Sequence, residues 1–292
     1  MRVTERMRVS GAASTQSKLA ARFDKATRVA ARGERVSVPS DDPIAYAARA
    51  RSDHALSLNE KRSELATKVS GELEVAEGAL SAGVDLLSEA RAAAMAGAND
   101  SLDAGARSLM AQQVTALRAQ LLDIANTRYG SKFLFAGTRT DVAPFDSSGA
   151  FVGNDVVTRV SLMEGITPPA NVSGARAFTS AGGRDVLADL QSLADALSTN
   201  DVAGVRASID TIDASHGQLV RVQTEAGLST ERFRSAIDVM ASTKIVVAKA
   251  RAEEVEGDPL AQLTELSLAK SAYERGVGVT RELLSVSSLA RQ

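Results

Sequence analysis

The residues in this 292-residue chain that could do chemistry stand in SVPSDDPI, Ser37 to Ile44, where Asp41 and Asp42 sit side by side between two prolines. Adjacent carboxylates can run acid/base catalysis, hold a metal or start a helix. A metal or catalytic pair needs further ligands or a partner base. The chain offers only His54 and His216, neither at ligand spacing from the acids, and both read as polar positions on helix surfaces. There is no Cys, so disulfides, thiolate metal sites and Cys nucleophiles are excluded. No GxSxG, Walker loop, GxGxxG or HExxH occurs. The residues therefore point to a non-catalytic chain with no cofactor and no metal, in which the acids start a helix. Asp at the N-cap accepts backbone N–H bonds, and Pro43 at the first helical position supplies the right φ without needing its missing donor.

The same device recurs near the other end. EGDPLAQLT carries Asp258-Pro259, a near twin of Asp42-Pro43. Each break separates a terminal arm from a longer body, and the two breaks are expected near one level. In the first arm Val9, Ala12, Leu19, Phe23, Ala26 and Ala30 step by three and four, with Gln16 as a polar seam position, until Gly33. In the last arm Leu263, Leu266, Tyr273, Val277 and Leu284 follow that spacing, interrupted by Lys270 and Thr280. Both are amphipathic helices of about 30 residues, about 45 Å long.

The body holds a second set of helices. Leu65, Val69, Ala76, Leu80, Leu87, Ala90 and Ala94 mark a helix from about Ile44 to Met95, and Ala106, Met110, Val114, Leu117, Leu121 and Ile124 mark another. Val186, Leu190, Leu193 and Leu197 mark a short one. Val202, Val205, Ile209, Ile212, Leu219, Phe233, Ile237, Met240 and Val247 mark a long one reaching about Val255. The two longest would each span about 80 Å, matched lengths that suggest antiparallel partners. Residues 130–183 differ, carrying turn residues and five of the seven Phe. Phe133, Leu134 and Phe135 read as a short buried strand, Asp146 to Gly149 as a turn, and Val156, Thr158, Val160 and Leu162 as an alternating strand stopped by Pro168 and Pro169.

Composition agrees with helices packed on one another: 44% hydrophobic, only 3% aromatic and no Trp. A net charge of −2 argues against a nucleic-acid binder, although the ends differ in sign. Met1 to Arg35 holds nine basic residues against three acids, whereas Ala252 to Gln292 holds seven acids against four basic residues. The arms could pair through that complementarity, a few tenths of a kcal/mol per exposed ion pair. The N-terminal MRVTERMRVSG has no apolar core, and no run of about 18 apolar residues occurs, which points away from a cleaved signal peptide and from a membrane span.

Two blocks carry a family resemblance. GERVSVPSDDPIAYAARA, Gly33 to Ala50, resembles the N-terminal block of the hook-filament junction proteins of the bacterial flagellum (hook-associated protein 3), relatives of flagellin; it includes Gly33, Pro39, Ser40, Asp41, Asp42 and Pro43. GSKFLFAGTRTDVAPFD is similar to the same family's second segment at Gly130, Phe133, Leu134, Phe135, Ala136, Gly137, Thr140, Pro144 and Phe145. Flagellins usually carry alanine where this chain has Pro43, and they lack the FLFAG segment. The C-terminal LLSVSSLARQ and the short insertion depart from the family pattern.

The resemblance implies a mainly α, elongated flagellin-like rod. Residues 1-38 and 258-292 would form paired terminal helices (D0-like), 39-129 and 184-257 the helical body (D1-like), and 130-183 a small β-rich outer insertion (D2-like). It also implies a structural subunit at the hook-filament junction, outside the cell, exported unfolded by the flagellar type III apparatus without a cleaved signal peptide. Its implied partners are copies of itself in a ring, the first hook-associated protein, flagellin and an export chaperone, with no nucleic acid and no membrane. Alternatives are a minor flagellin, or a soluble secreted helical binding protein unrelated to assembly. Terminal helices with thin, Ala-rich apolar faces are expected to order fully only against neighbouring subunits.

Overall fold

The computed structural model describes residues 2–163 and 165–289. The chain is mainly helical: α1 Arg2–Arg32, α2 Pro43–Gly97, α3 Ala104–Ala125, α4 Gly174–Phe178, α5 Val186–Ser198, α6 Val202–Val255 and α7 Pro259–Leu289. One antiparallel hairpin pairs β1 Arg128–Tyr129 with β2 Lys132–Phe133. The chain divides into a terminal unit, residues 1–59 with 242–292, and a central unit, residues 60–241. The division falls within α2 and α6, each of which contributes to both units.

Aspartates start five of these helices. Asp42, Asp103, Asp185, Asp201 and Asp258 each accept a backbone N–H from the first turn, at 2.7 to 3.1 Å. A helix leaves its first N–H groups without intrahelical partners, and a short carboxylate in front of them satisfies one or two. α1 ends where Gly33 takes φ +73°, a conformation that glycine adopts without steric cost.

In the central unit the buried stripe of α2 runs Ala66, Val69, Leu73, Ala76, Leu80, Leu87, Ala90 and Ala94. It meets Val114, Leu117 and Leu121 of α3, Leu190 and Leu193 of α5, and Val205, Ile212, Leu219 and Phe233 of α6. Each buried Leu or Phe contributes about 1.5–3 kcal/mol over its exposed state. Gly83 lets α2 approach Leu219 and Leu121, and Gly97 lets it approach Leu197 and Val205. Ion pairs Arg91–Asp213 and Arg234–Glu74 continue that register, so α2 and α6 run antiparallel there. Leu65, expected on the stripe, is 45% exposed because its neighbour Ala66 takes the inward position. On α3 the inward position expected for Ala106 belongs to Arg107, which is buried and donates to the carbonyls of Gly97 and Asn99 and to Asn200. Its guanidinium thus satisfies the orphan carbonyls at the end of α2.

The segment between α3 and α5 is held by aromatic packing and side-chain bonds more than by sheet. Phe178 takes Phe135 and Phe145 edge-on at 5.4 and 5.7 Å, and Phe145 packs on Phe151 at 5.2 Å. The expected strand at Phe133 to Phe135 stops at Phe133, while Leu134 and Phe135 turn into the core. The expected alternating strand from Val156 to Leu162 forms only isolated bridges, Arg159 with Pro169 and Met163 with Ile166. Pro168 and Pro169 supply no N–H, and the Thr158 N–H goes to the Asn171 side chain instead. Fully buried Gln218 organises the far end, donating to the carbonyls of Ala177, Thr179 and Arg184 and accepting from the Arg184 N–H.

In the terminal unit α1 and α7 lie antiparallel. The α1 seam is Ala12, Gln16, Leu19, Phe23, Ala26 and Ala30, with Val9 exposed. Phe23 stacks on Tyr273 at 5.7 Å, Leu19 sits over Gly276, and Arg22 pairs with Glu265 at 2.8 Å. The α7 seam uses Gln262, Leu266, Ala269 and Tyr273. Leu263 is therefore 60% exposed, and Lys270 points outward rather than interrupting the seam. The side chain of Leu284 lies outside the described residues.

Candidate functional site

The end of α1, the start of α2, the end of α6 and the start of α7 meet in the terminal unit, and SVPSDDPI lies at that meeting point. The backbone closes it first. Glu34 and Glu256 form an antiparallel bridge, in which the Arg35 N–H donates to the Val255 carbonyl at 2.7 Å and the Gly257 N–H to the Gly33 carbonyl at 3.3 Å. The Gln262 side chain donates to the same Gly33 carbonyl at 3.0 Å. Val36 and Val255 are fully buried beside the bridge. The two chain breaks therefore touch.

Asp41 and Asp42 do different work. Asp42 is the cap of α2: its Oδ1 accepts from the Ile44 and Ala45 N–H groups at 3.1 Å, and its Oδ2 meets Arg35 at 3.3 Å. The Ala45 N–H and Arg35 lower its pKa. Asp41 faces back toward the turn. Its Oδ2 accepts from the Ser37 N–H, the Ser37 hydroxyl and the Val38 N–H, each at 3.2 Å, and its Oδ1 pairs with Lys25 of α1 at 2.7 Å. Only a tenth of that side chain is exposed. The Lys25 ammonium first, then the Ser37 N–H, hold its carboxyl well below the usual carboxylate range. Pro39 and Ser40 form the exposed apex of the turn. Asp258 starts α7 by accepting the Leu260 N–H at 2.9 Å.

A ring of alternating charge fastens these elements. Arg49 of α2 pairs with Glu34 at 3.1 Å and Asp53 at 3.4 Å; Arg251 of α6 pairs with the same two carboxylates, at 3.2 and 2.6 Å. Asp53 first, and Glu34 after it, raise the Arg251 pKa above its ordinary value. Arg49 also donates to the Val36 carbonyl at 3.1 Å, and Arg35 to the Glu254 carbonyl at 3.1 Å. Sequence reasoning missed Lys25, Glu34, Arg35, Arg49, Asp53, Arg251 and Gln262. Arg49 and Asp53 carried one available signal, their i,i+4 spacing. The arrangement can clamp four chain segments together, and no group of three or more metal-ligating side chains stands among the described residues.

The second block lies in the central unit. Gly130 opens the two-residue hairpin turn at φ +59°. Leu134, Phe135, Ala136 and Phe145 are buried in the aromatic cluster or beside it, with Pro144 also buried. The Thr140 carbonyl accepts the Phe133 N–H at 2.9 Å. Gly137 takes φ +68° where a Cβ would strike the Asn154 carbonyl. Asn126 brackets Phe145, donating to its carbonyl at 3.1 Å and accepting its N–H at 3.0 Å. These residues hold the irregular segment onto the helices.

Comparison with known proteins gives likenesses to flagellar proteins. The profile for the bacterial flagellin N-terminal helical region matches residues 5–140. Flagellar hook-associated protein 3 of Escherichia coli K12 is 32% identical over 123 residues, 41% of this chain and 39% of that protein. The Salmonella typhimurium protein of the same name is 28% identical over 150 residues, 51% and 47% of the two chains. Over these regions the chain is similar to flagellin-like proteins and to hook-associated protein 3. The match spans less than half the length of those curated relatives. A solved structure of a flagellar hook-associated protein from Vibrio parahaemolyticus is 26% identical, with a TM-score of 0.67 over 74% of this chain and all of that one. FlgL of Xanthomonas campestris, 16% identical with a TM-score of 0.62 over 69% of this chain and 99% of that one, shares the fold. Among the described residues, no helix is long and apolar enough to cross a membrane.

Proposed function

We propose that this chain is a non-catalytic structural subunit of the bacterial flagellum that joins the hook, through the first hook-associated protein, to the flagellin filament. The observation that carries this reading is the likeness to hook-associated protein 3 in two curated relatives, together with the likeness to a flagellar hook-associated protein structure aligned over its whole length. The clamp supplies the physical role. A junction subunit must transmit force between its terminal helices and its body, and bonds from α1, α2, α6 and α7 meet at Gly33 to Asp42. Gly33, Pro39 to Pro43, Asp258 and Pro259 then act in assembly by setting where the terminal helices leave the body. Gly130 to Phe145 act by anchoring the 130–183 segment.

In this reading residues 1–38 and 258–292 form the inner layer, 39–129 and 184–257 the next, and 130–183 the outermost. The subunit is exported by the flagellar type III apparatus with a chaperone and without a cleaved signal peptide. It assembles outside the cell as a ring that touches flagellin, with the terminal helices completing their apolar faces against neighbouring copies. A minor flagellin is the second reading, because the 5–140 match is to a flagellin region. Immunogold labelling decides between them. A narrow band at the hook end supports the junction reading, and label along the whole filament refutes it in favour of the second.

A further inference from the structure

The central unit carries a cleft that the clamp and the terminal helices do not use. An arm whose described residues are 157–163 and 165–172 lies along α6 and is loosely fitted to it. A cavity of about 320 Å³ opens between the two near Val222, and another of about 390 Å³ near Val239. Seventeen residues of α6 separate those positions, about 26 Å of helix. Arg232 lines both cavities and so joins them into one trough.

The trough has a definite chemistry. Leu73, Val172 and Val222 floor its first pocket, and Met163, Ile166 and Val239 line the second. Arg159, Arg176 and Arg232 line it as well, and Glu225, paired with Arg176 at 3.3 Å, is its one lining carboxylate among the described residues. Arg159 spends a donor on the Thr167 carbonyl and keeps others, and Arg232 has no side-chain partner among the described residues. Two polar lining groups already have partners: Asn171 bonds to Thr158 and to the Val156 carbonyl, and Ser173 donates to Asp155. The surplus donors are therefore guanidinium groups placed over apolar pockets, within a chain whose net charge is negative.

We infer that this trough is a docking site for an extended segment of a partner protein, one that presents an acidic side chain between two apolar ones. The apolar side chains fill the two pockets and the carboxylate meets Arg232 and Arg159 in charge-assisted bonds. A free small anion would satisfy the arginines and leave both pockets empty. A basic or neutral segment would leave the guanidiniums without a counter-charge. The site stands apart from the flagellar reading and does not depend on it.

The test is fluorescence anisotropy on the full chain with a labelled, terminally blocked peptide of alternating leucine and glutamate. Matched leucine–glutamine and leucine–lysine peptides serve as controls. Saturable binding of the glutamate peptide alone is expected, weakening as salt rises. R232E and R159E should each weaken it about tenfold or more, the scale of one lost charge-assisted contact. Both side chains lie outside the helical core, and unchanged melting curves would show that the variants fold. Equal binding of the three peptides, no saturable binding, or no effect of either variant would overturn the inference. Displacement of the peptide by free glutamate at the peptide's own concentration would also overturn it, because the apolar pockets would then contribute nothing.

Discussion

Replacing Asp41 by Ala isolates the part of the clamp that is not a helix cap. The carboxylate accepts three hydrogen bonds from Ser37 and Val38 and pairs with Lys25, with only a tenth of the side chain exposed. Val38 is exposed, so water can take over its N–H. Ser37 is half-buried, and losing a charged acceptor for its N–H and hydroxyl costs about 1.5–3 kcal/mol. The Lys25 ammonium is more than half exposed, and its pair adds about 0.2–1 kcal/mol. Asp41→Ala should therefore destabilise by about 2–3 kcal/mol. Asp41→Asn keeps an acceptor for the turn and should cost clearly less. The assay is thermal unfolding combined with amide exchange, read at Ser37, Val38 and the last turns of α1. A double-mutant cycle with Lys25→Ala should return a coupling of about 0.5 kcal/mol. Acid sharpens the test. The folded carboxyl titrates below its unfolded value of about 3.9, so its contribution is complete above that value. It is lost as pH falls from there through the folded pKa. Acid sensitivity of α1 protection below about pH 4 should diminish in Asp41→Asn. A loss under about 0.5 kcal/mol for Asp41→Ala, or zero coupling to Lys25, would refute the clamp as drawn.

Three further outcomes follow from other contacts. Gly33→Ala meets no atom within 4 Å but must hold φ +73°, so it should cost about 1–2 kcal/mol through backbone strain alone, measurable by denaturant unfolding. Gln218→Ala strips a bond from three carbonyls and one N–H in the interior, and should lower stability by about 2–4 kcal/mol and raise exchange at Arg184. Both Asp-Pro starts are followed by a bare aliphatic side chain, Ile44 at 82% and Leu260 at 73% exposure. Ile44→Ser with Leu260→Ser should change subunit stability by no more than about 0.5 kcal/mol, yet reduce filament number and swimming in a complemented deletion strain.

The helices and their breaks were legible because each break is written in local chemistry. Asp42-Pro43 and Asp258-Pro259 start helices through bonds to their own first turns, and Gly33 ends one through its own φ. The three-four spacing of the first arm carried the α1 seam for the same reason. The rest depended on contacts between distant segments. Nothing near Glu34 announces Arg251, 217 residues away, and nothing near Arg107 announces the carbonyls at the end of α2. Two neighbouring acids looked equivalent as a dipeptide, and only the return of α1 past Asp41 separates their roles. The Val156 to Leu162 alternation does face a partner segment, with Val160 and Leu162 donating to the Pro168 and Ile166 carbonyls, but Pro168 and Pro169 return no N–H and Asn171 takes the Thr158 N–H and the Val156 carbonyl, so only isolated bridges form.

The central claim is that the chain joins hook to filament, and electron microscopy of a strain lacking its gene tests it most directly. The account predicts intact hooks without filaments, flagellin accumulating as monomer in the medium, and recovery of filaments when the wild-type chain is restored. Full-length filaments of normal number on the deletion strain would contradict it.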